Sequence, residues 1–220
     1  MGCRLNQIES ESAARSFLES NFQVIIKPLQ AKNEIDEETI LCIINTCAVT
    51  QKAEQKDRRI IRLVLEKCPN ATVIVTGCYA QLSPDEIKSI NKRIALLKGQ
   101  LKSRLADVPE LLKNTLKEKK FNPENFADFL NNGLFNAETE KPGTSENAFR
   151  LATDSFIAHS RSSIKIQDGC NCMCSYCTIH IARGHSISLD AEEVVHRVQK
   201  LENAGQAEVV FTAVNIGQYK

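Results

Sequence analysis

The chain has no stretch of about 18 consecutive apolar residues, the length a helix needs to span a bilayer. Its amino terminus lacks the charged patch followed by an apolar run that marks an export signal. There is no surplus of charge either: 28 Lys and Arg stand against 27 Asp and Glu, leaving +1. An overall basic field of the kind that draws nucleic acid is therefore absent. No internal repeat organises the sequence. Nine cysteines are present without the framing of a disulfide scaffold, so reduced thiols are expected. These absences point to a soluble, cytoplasmic protein without a membrane partner. The 42% hydrophobic content over 220 residues suffices for one large or two ordinary domains.

What is there is cysteine in a particular pattern. Cys170, Cys174 and Cys177 lie in GCNCMCSYC with the spacing C-x3-C-x2-C. Three thiolates on one tight loop can hold three irons of a [4Fe–4S] cluster, whereas four cysteines are the usual full set. The remaining iron is then open to bind something else, which makes a reaction centre rather than an electron carrier. Zinc is the rival, with His180 or His185 completing a four-ligand site. Cys172 offers other triplets and is read as a spare thiol.

The amino-terminal part carries a second set. Ile40–Ile44 and Ala71–Thr76 are short, β-branched runs bounded by turn formers, as buried parallel strands are. Between them Lys52–Cys68 reads as a helix with Ile60, Ile61, Val64 and Leu65 on one face. This is a β-α-β unit, and groups at the carboxyl ends of its strands converge on one crevice. Cys47 and Cys78 sit there. Cys3 stands before a helix expected over Ile8–Asn21, with Ala13, Ala14, Phe17 and Leu18 spaced for burial. The three can meet as a second cluster site, or each can be an ordinary buried thiol, since free cysteine is among the most buried residue types. Cys42, inside a strand run, and Cys68, near a helix end, read as structural.

Farther along, Lys98, Lys102, Arg104, Lys113, Lys117, Lys119 and Lys120 make residues 98–120 basic. Either a solvated helix face or a contact with RNA phosphates accounts for them. Residues 121–149 mix Asn, Glu, Pro, Gly and Ser and read as a linker with one short helix near Phe126–Leu130. Ser163–Gln167 alternates like a strand, Asp190–Ala204 is a helix capped by Asp190 and closed by Gly205, and Glu208–Thr212 is the next strand. That order is the opening of a barrel whose chemistry sits on loops after strands. His159, His185 and His196 read as surface or structural. The expected division is 1–120, a linker over 121–149, and 150–220.

The words around the cysteines carry a resemblance. Lys165-Ile166-Gln167-Asp168-Gly169-Cys170, the cysteine loop and Arg183-Gly184 are similar to the radical S-adenosylmethionine (SAM) methylthiotransferases, as are GCRLNQIES, NTCAVT and TGCYAQ at the amino end. The resemblance implies an α/β fold: an N-terminal open parallel-sheet, flavodoxin-like domain, then the first β-α-β portion of a TIM-type barrel. It implies two [4Fe–4S] clusters, one on Cys170, Cys174 and Cys177 and an auxiliary one on Cys3, Cys47 and Cys78. SAM would bind the open iron, with Tyr176 near its adenine. Asn215 and Gln218, placed beside the cysteine loop, are candidates to touch SAM, and Arg183 could meet a SAM or substrate anion. One departure is His180, where the family usually has proline shortly after the third cysteine.

Asn6-Gln7 and Cys47–Ala53 are most similar to the branch acting on threonylcarbamoyladenosine beside the tRNA anticodon. Carbon 2 of that adenosine would be methylthiolated, which requires a radical route because its C–H bond is unactivated. The partners implied are tRNA and an electron donor such as flavodoxin or ferredoxin. Methylthiolation of isopentenyladenosine or of a ribosomal-protein aspartate stands as the alternative. A zinc-bound non-catalytic module or an inert fragment is the alternative of another class. Cys3 has no strand before it and the chain stops after a second barrel strand. The expectation is therefore a piece of a longer enzyme, without the rest of the barrel and an RNA-binding domain.

Overall fold

The computed structural model describes residues 2–48, 50–118, 121–136, 148–153, 156 and 161–220. Helix α1 runs Arg4–Glu19 and begins earlier than its apolar spacing suggested, because Cys3 in extended conformation is its N-cap. Leu5, Ile8, Ala13 and Phe17 are buried along one face. The helix stops at a left-handed residue, Asn21, with φ 64°, and the Phe22 N–H folds back onto the Phe17 carbonyl at 3.0 Å.

Strand β1 (Leu41–Thr46), helix α2 (Gln51–Lys67) and strand β2 (Thr72–Gly77) form the expected unit. Thr50 caps α2 by accepting the Ala53 N–H, and Ile61, Val64 and Leu65 point into the core. β1 and β2 pair in parallel, and β2 pairs with a short third strand, β3 (Ile94–Leu96), to give the order β1-β2-β3. Every residue of β2 is buried, as a central parallel strand requires. Two short helices, α3 (Cys78–Leu82) and α4 (Pro84–Lys88), lie between β2 and β3. A 3-10 helix over Gly99–Asp107 leads into α5 (Val108–Lys117).

The segment expected as a linker holds α6 (Pro123–Asn132), capped by Asn122, and this helix belongs to the core. Phe126, Ala127 and Leu130 pack with Ile74, Ala95, Leu105 and Leu112. The Asn131 side chain bridges to β3, accepting from the Leu96 N–H at 2.8 Å and donating to the Ile94 carbonyl at 3.0 Å.

In the last part, β4 (Ser162–Lys165) pairs in parallel with β7 (Val209–Thr212), and the helix Ala191–Asn203, here α8, crosses between them. Asp190 caps α8 and Gly205 follows it at φ 83°, both as expected. The run expected as one strand over 163–167 breaks in two. Ile166 still donates to Thr212, but its carbonyl takes the Leu189 N–H, and Gln167–Asp168 (β5) turns to pair antiparallel with Ile187–Ser188 (β6). Helix α7 (Ile179–Arg183) lies between them in the chain. The whole is an α/β fold. No helix among the described residues is long and apolar enough to cross a membrane. His159, Lys119 and Lys120 lie outside the described residues.

If α6 is core rather than connector, truncating its main anchor removes a buried ring. Phe126→Ala is expected to lower stability by about 3–5 kcal/mol in urea unfolding. A loss near zero would make α6 an appendage.

Candidate functional site

At the strand ends the register decides the geometry. Thr46 pairs with Gly77, so the residues that follow, Cys47 and Cys78, emerge side by side at the carboxyl edge of the sheet. Gly77 has φ 100°, and a Cβ there would lie 2.2 Å from the Thr46 carbonyl oxygen. Only glycine lets the strands meet so closely and turn straight into α3 at Cys78. The Cys47 N–H donates to Asp57 Oδ2 at 2.7 Å. Burial pushes the Asp57 carboxyl up, and the Cys47 amide holds it partly down.

Cys3 is brought to the same edge by Asn6, one turn into α1. Asn6 Nδ2 donates to the Thr46 carbonyl at 2.8 Å, and Asn45 Nδ2 returns a bond to the Asn6 carbonyl at 3.1 Å. The Cys3 thiol donates to Asn6 Oδ1 at 3.6 Å.

The second set lies on the loop after β5. Gly169, at φ 71°, passes so close to the next turn that a Cβ would fall 1.9 Å from the His185 carbonyl oxygen. The Cys170 N–H donates to the Gly184 carbonyl at 3.0 Å, closing the loop's neck. Fully buried Gln167 organises it further: Nε2 reaches the carbonyls of Asp168 and Gly169 and the Ser186 hydroxyl, while Oε1 accepts the Asn215 N–H at 3.0 Å. Gln218 touches the loop directly. Its Oε1 accepts the Asn171 N–H at 3.0 Å and its Nε2 donates to Cys172 Sγ at 3.2 Å and Cys170 Sγ at 3.7 Å.

The Asn215 side chain accepts the Gly217 N–H and also hydrogen-bonds the Cys170 thiol. The Cys172 N–H, donating at 3.4 Å, pulls the Cys170 thiol below its ordinary value. Cys174 and Cys177 close a turn, and Tyr176, 88% exposed, stands out from it. Of the histidines weighed for zinc, His185 is exposed, and His180 on α7 has a buried Nδ1 without a partner among the described residues.

The two sets meet through the helices that follow them. Ala182 of α7 is buried in the same apolar cluster as Ala48, Cys78, Tyr79 and Ala80. Next to it, Arg183 reaches back across the chain. Nη2 donates to Asn6 Oδ1 at 2.6 Å and to Cys3 Sγ at 3.8 Å, while Nη1 meets Asp168 Oδ1 at 2.9 Å and Glu9 Oε1 at 3.4 Å. Glu9 also pairs with Lys102 and, at 3.2 Å, with Lys165, which bonds Asp168 at 2.9 Å. Five ionised groups are thus shut between α1, the 3-10 helix, β4, β5 and α7.

Burial opposes the charge on Arg183, but Asp168, Glu9, Cys78 and Cys3 outweigh it and raise its proton affinity. Burial likewise opposes ionisation of Asp168, and Lys165 and Arg183 hold it far below the usual carboxylate range. From sequence alone Glu9 has no assigned role, Lys102 reads as one cation of a basic run facing solvent or RNA, and Lys165 and Asp168 are only letters of a family word. The available signal was Glu9 beside Ile8 on the helix face spaced for burial; Lys165 alternates with Ile164 and Ile166 and carried no such signal.

Two cations of the basic run turn inward rather than to solvent. Lys102 pairs with Glu9, and Arg104 donates to the carbonyls of Leu134 and Asn136. Cys42 and Cys68 are neighbours inside the β1–α2 packing, where burial pushes the thiol of each up. Among the described residues no three Cys, His, Asp or Glu side chains lie close enough to share a single metal ion. A cubane places each thiolate on a different iron, so its ligands need not converge on one point.

Residues 1–99 match the family described as Uncharacterized protein family UPF0004. The chain is 37% identical over its whole length to the threonylcarbamoyladenosine tRNA methylthiotransferase MtaB of Treponema pallidum, covering 53% of that protein. It is 31% identical, again over its whole length, to the protein of that name from Chlamydia pneumoniae, covering 43% of it. The ribosomal protein uS12 methylthiotransferase RimO of Caldicellulosiruptor saccharolyticus is 28% identical, with 45% of it covered. The chain therefore spans about half the length of the curated relatives it matches.

Glu9 offers a test of the buried charges. Burial alone would raise its carboxyl, but Lys102, Lys165 and Arg183 hold it at about 2, below the ordinary 4.5. A depressed folded value means the stabilisation is full above 4.5 and is lost as the pH falls through about 2. Glu9→Gln strands three cations with one carboxylate and is expected to cost about 3–5 kcal/mol in urea unfolding at neutral pH. The gap between wild type and variant should narrow on acidification through that window. A gap that stays constant with pH would mean the carboxylate's charge contributes nothing.

Proposed function

We propose that the chain is part of a methylthiotransferase, like the relatives it matches, and that it holds two [4Fe–4S] clusters, one on Cys170, Cys174 and Cys177 and one on Cys3, Cys47 and Cys78. The whole protein would use SAM to add a methylthio group to carbon 2 of a threonylcarbamoyl-modified adenosine in tRNA. The observation that carries this reading is the Arg183 junction, where one side chain links Cys3 and Asn6 at the sheet edge to Asp168 at the root of the cysteine loop. A chemistry that makes a radical at one centre and delivers sulfur from another needs the two centres held on one frame.

The donor set fits. Six thiols outside any disulfide, soft ligands of the kind that select iron–sulfur clusters, lie at two backbone edges pinned by close glycine contacts. When bound, such clusters supply one-electron chemistry at an open iron and a sulfur that can be transferred.

The chain's own residues orient the ligands. Asp57 fixes the Cys47 backbone, Gln167 and Gln218 shape the loop around Cys170, and Arg183 reaches the Cys3 sulfur. Tyr176, Asn215 and Gln218 are the residues that would touch SAM. An electron donor such as flavodoxin or ferredoxin would approach the exposed loop. In this division of labour residues 1–120, together with α6 from 121–149, form the sulfur-delivering unit, and 150–220 open the radical-generating one.

The test is iron, sulfide and zinc per chain after anaerobic reconstitution. About eight irons in the wild type, falling to about four in Cys170/Cys174/Cys177→Ala, is the result expected of two cubanes. Zinc without sulfide would overturn the reading, and four irons that vanish in the variant would restrict it to the loop.

A further inference from the structure

Helix α2 starts four residues after Cys47, so its N-terminal end stands at the candidate cluster edge. Its inner face is used up by Asp57, Ile61, Val64 and Leu65. Along the outer face Lys52, Lys56, Arg59 and Arg62 are all exposed. The ion pairs α2 makes among the described residues use other cations: Arg58 with Glu86 of α4, and Lys67 with Glu66.

Four positive charges therefore stand in a row at steps of four, three and three residues. At about 1.5 Å per residue the row is about 15 Å long. Of the carboxylates on the same helix, Asp57 is buried, Glu54 is half-buried, and Glu66 lies at the far end beside Lys67.

We propose that this outer row of α2 is a docking surface for the phosphodiester backbone of RNA, leading a strand along the helix toward Cys47 and Cys78. It rests on the tRNA reading above and says where the RNA lies. A straight, one-cation-per-turn row matches a linear polyanion, whose charges also repeat every few ångströms. The two arginines add a planar fork that phosphate oxygens accept in pairs. In the basic run at 98–120, Lys102 and Arg104 are committed to the interior, which breaks any continuous row there among the described residues. Only Lys113, half-buried, and exposed Lys117 remain on α5 to serve as controls.

The experiment is binding of a fluorescent anticodon stem-loop RNA to the full chain over a range of salt concentrations. The variant Lys52→Ala/Lys56→Ala/Arg59→Ala/Arg62→Ala keeps a strong helix former at every site. It is expected to reduce the slope of log affinity against log salt by about three, at about 0.7–0.9 per lost phosphate contact. Lys113→Ala/Lys117→Ala should leave the slope unchanged. The urea midpoint and iron content of the quadruple variant should match wild type. A wild type that binds the RNA but holds no iron would count against the cluster reading and leave the docking proposal standing.

An unaltered slope in the quadruple variant, a slope that falls only in the α5 control, or no RNA binding by the wild type would each overturn the proposal. So would an unaltered slope accompanied by weaker binding of an acidic flavodoxin, which would reassign the row to a protein partner.

Discussion

Glu9 is buried to 1% exposure with three cations around it, and the arrangement of the molecule follows from that fact. A lone ion taken out of water costs several kcal/mol, so each buried charge must find partners from whichever elements can supply them. Here the partners come from far apart: Lys102 from the 3-10 helix, Lys165 from β4, Arg183 from α7. Asp168 closes the set by bonding Lys165 and Arg183. None of these elements can shift without uncovering an ion. The amino-terminal sheet unit and the cysteine-loop unit are consequently locked in one register.

Three cations against two carboxylates leave the cluster one positive charge in excess. Arg183 is held in its charged form partly by Cys78 and Cys3. At Lys102 burial and Arg183 pull the proton affinity down, and Glu9, Asp168 and Cys78 push it back.

Backbone proximity does the remaining positioning. Gly77 lets β1 and β2 end against each other. Gly99, whose Cβ would lie 2.7 Å from the Gly77 carbonyl oxygen, lets the 3-10 helix pass over that point. Gly169 does the same for the second loop against His185. Side chains at any of these positions would push the two cysteine sets away from the junction. The outside of the loop stays open, with Met173 and Tyr176 largely exposed, while its root at Gln167 and Asp168 is buried.

Much of this was legible from residue order. Apolar runs of the right length identified β1, β2, α2 and α8, and Asp190 announced the start of α8 by its side-chain chemistry. The cysteine spacings and their neighbouring words marked both candidate sites and the family. β3 escaped because three residues are too few for a periodicity. α6 looked like part of a linker because its surroundings are polar, although Phe126 and Leu130 are spaced for burial. The strand over 163–167 broke at Ile166 because two partners compete for its backbone, a competition that only neighbouring chains create.

The basic run illustrates the limit of local reading. Charge composition cannot say which of Lys98, Lys102 and Arg104 faces water, because that depends on where Glu9 and the Leu134 carbonyl arrive from elsewhere in the chain. By itself, then, the sequence determined most of the helices and strands and the spacing of the cysteines, since these depend on neighbours within a few residues. The tertiary structure alone decided that Cys3, Arg183 and Asp168 share a junction, that Lys102 is buried, and that α2 keeps an exposed cationic row. Those outcomes depend on long-range burial and charge pairing, which no local pattern encodes.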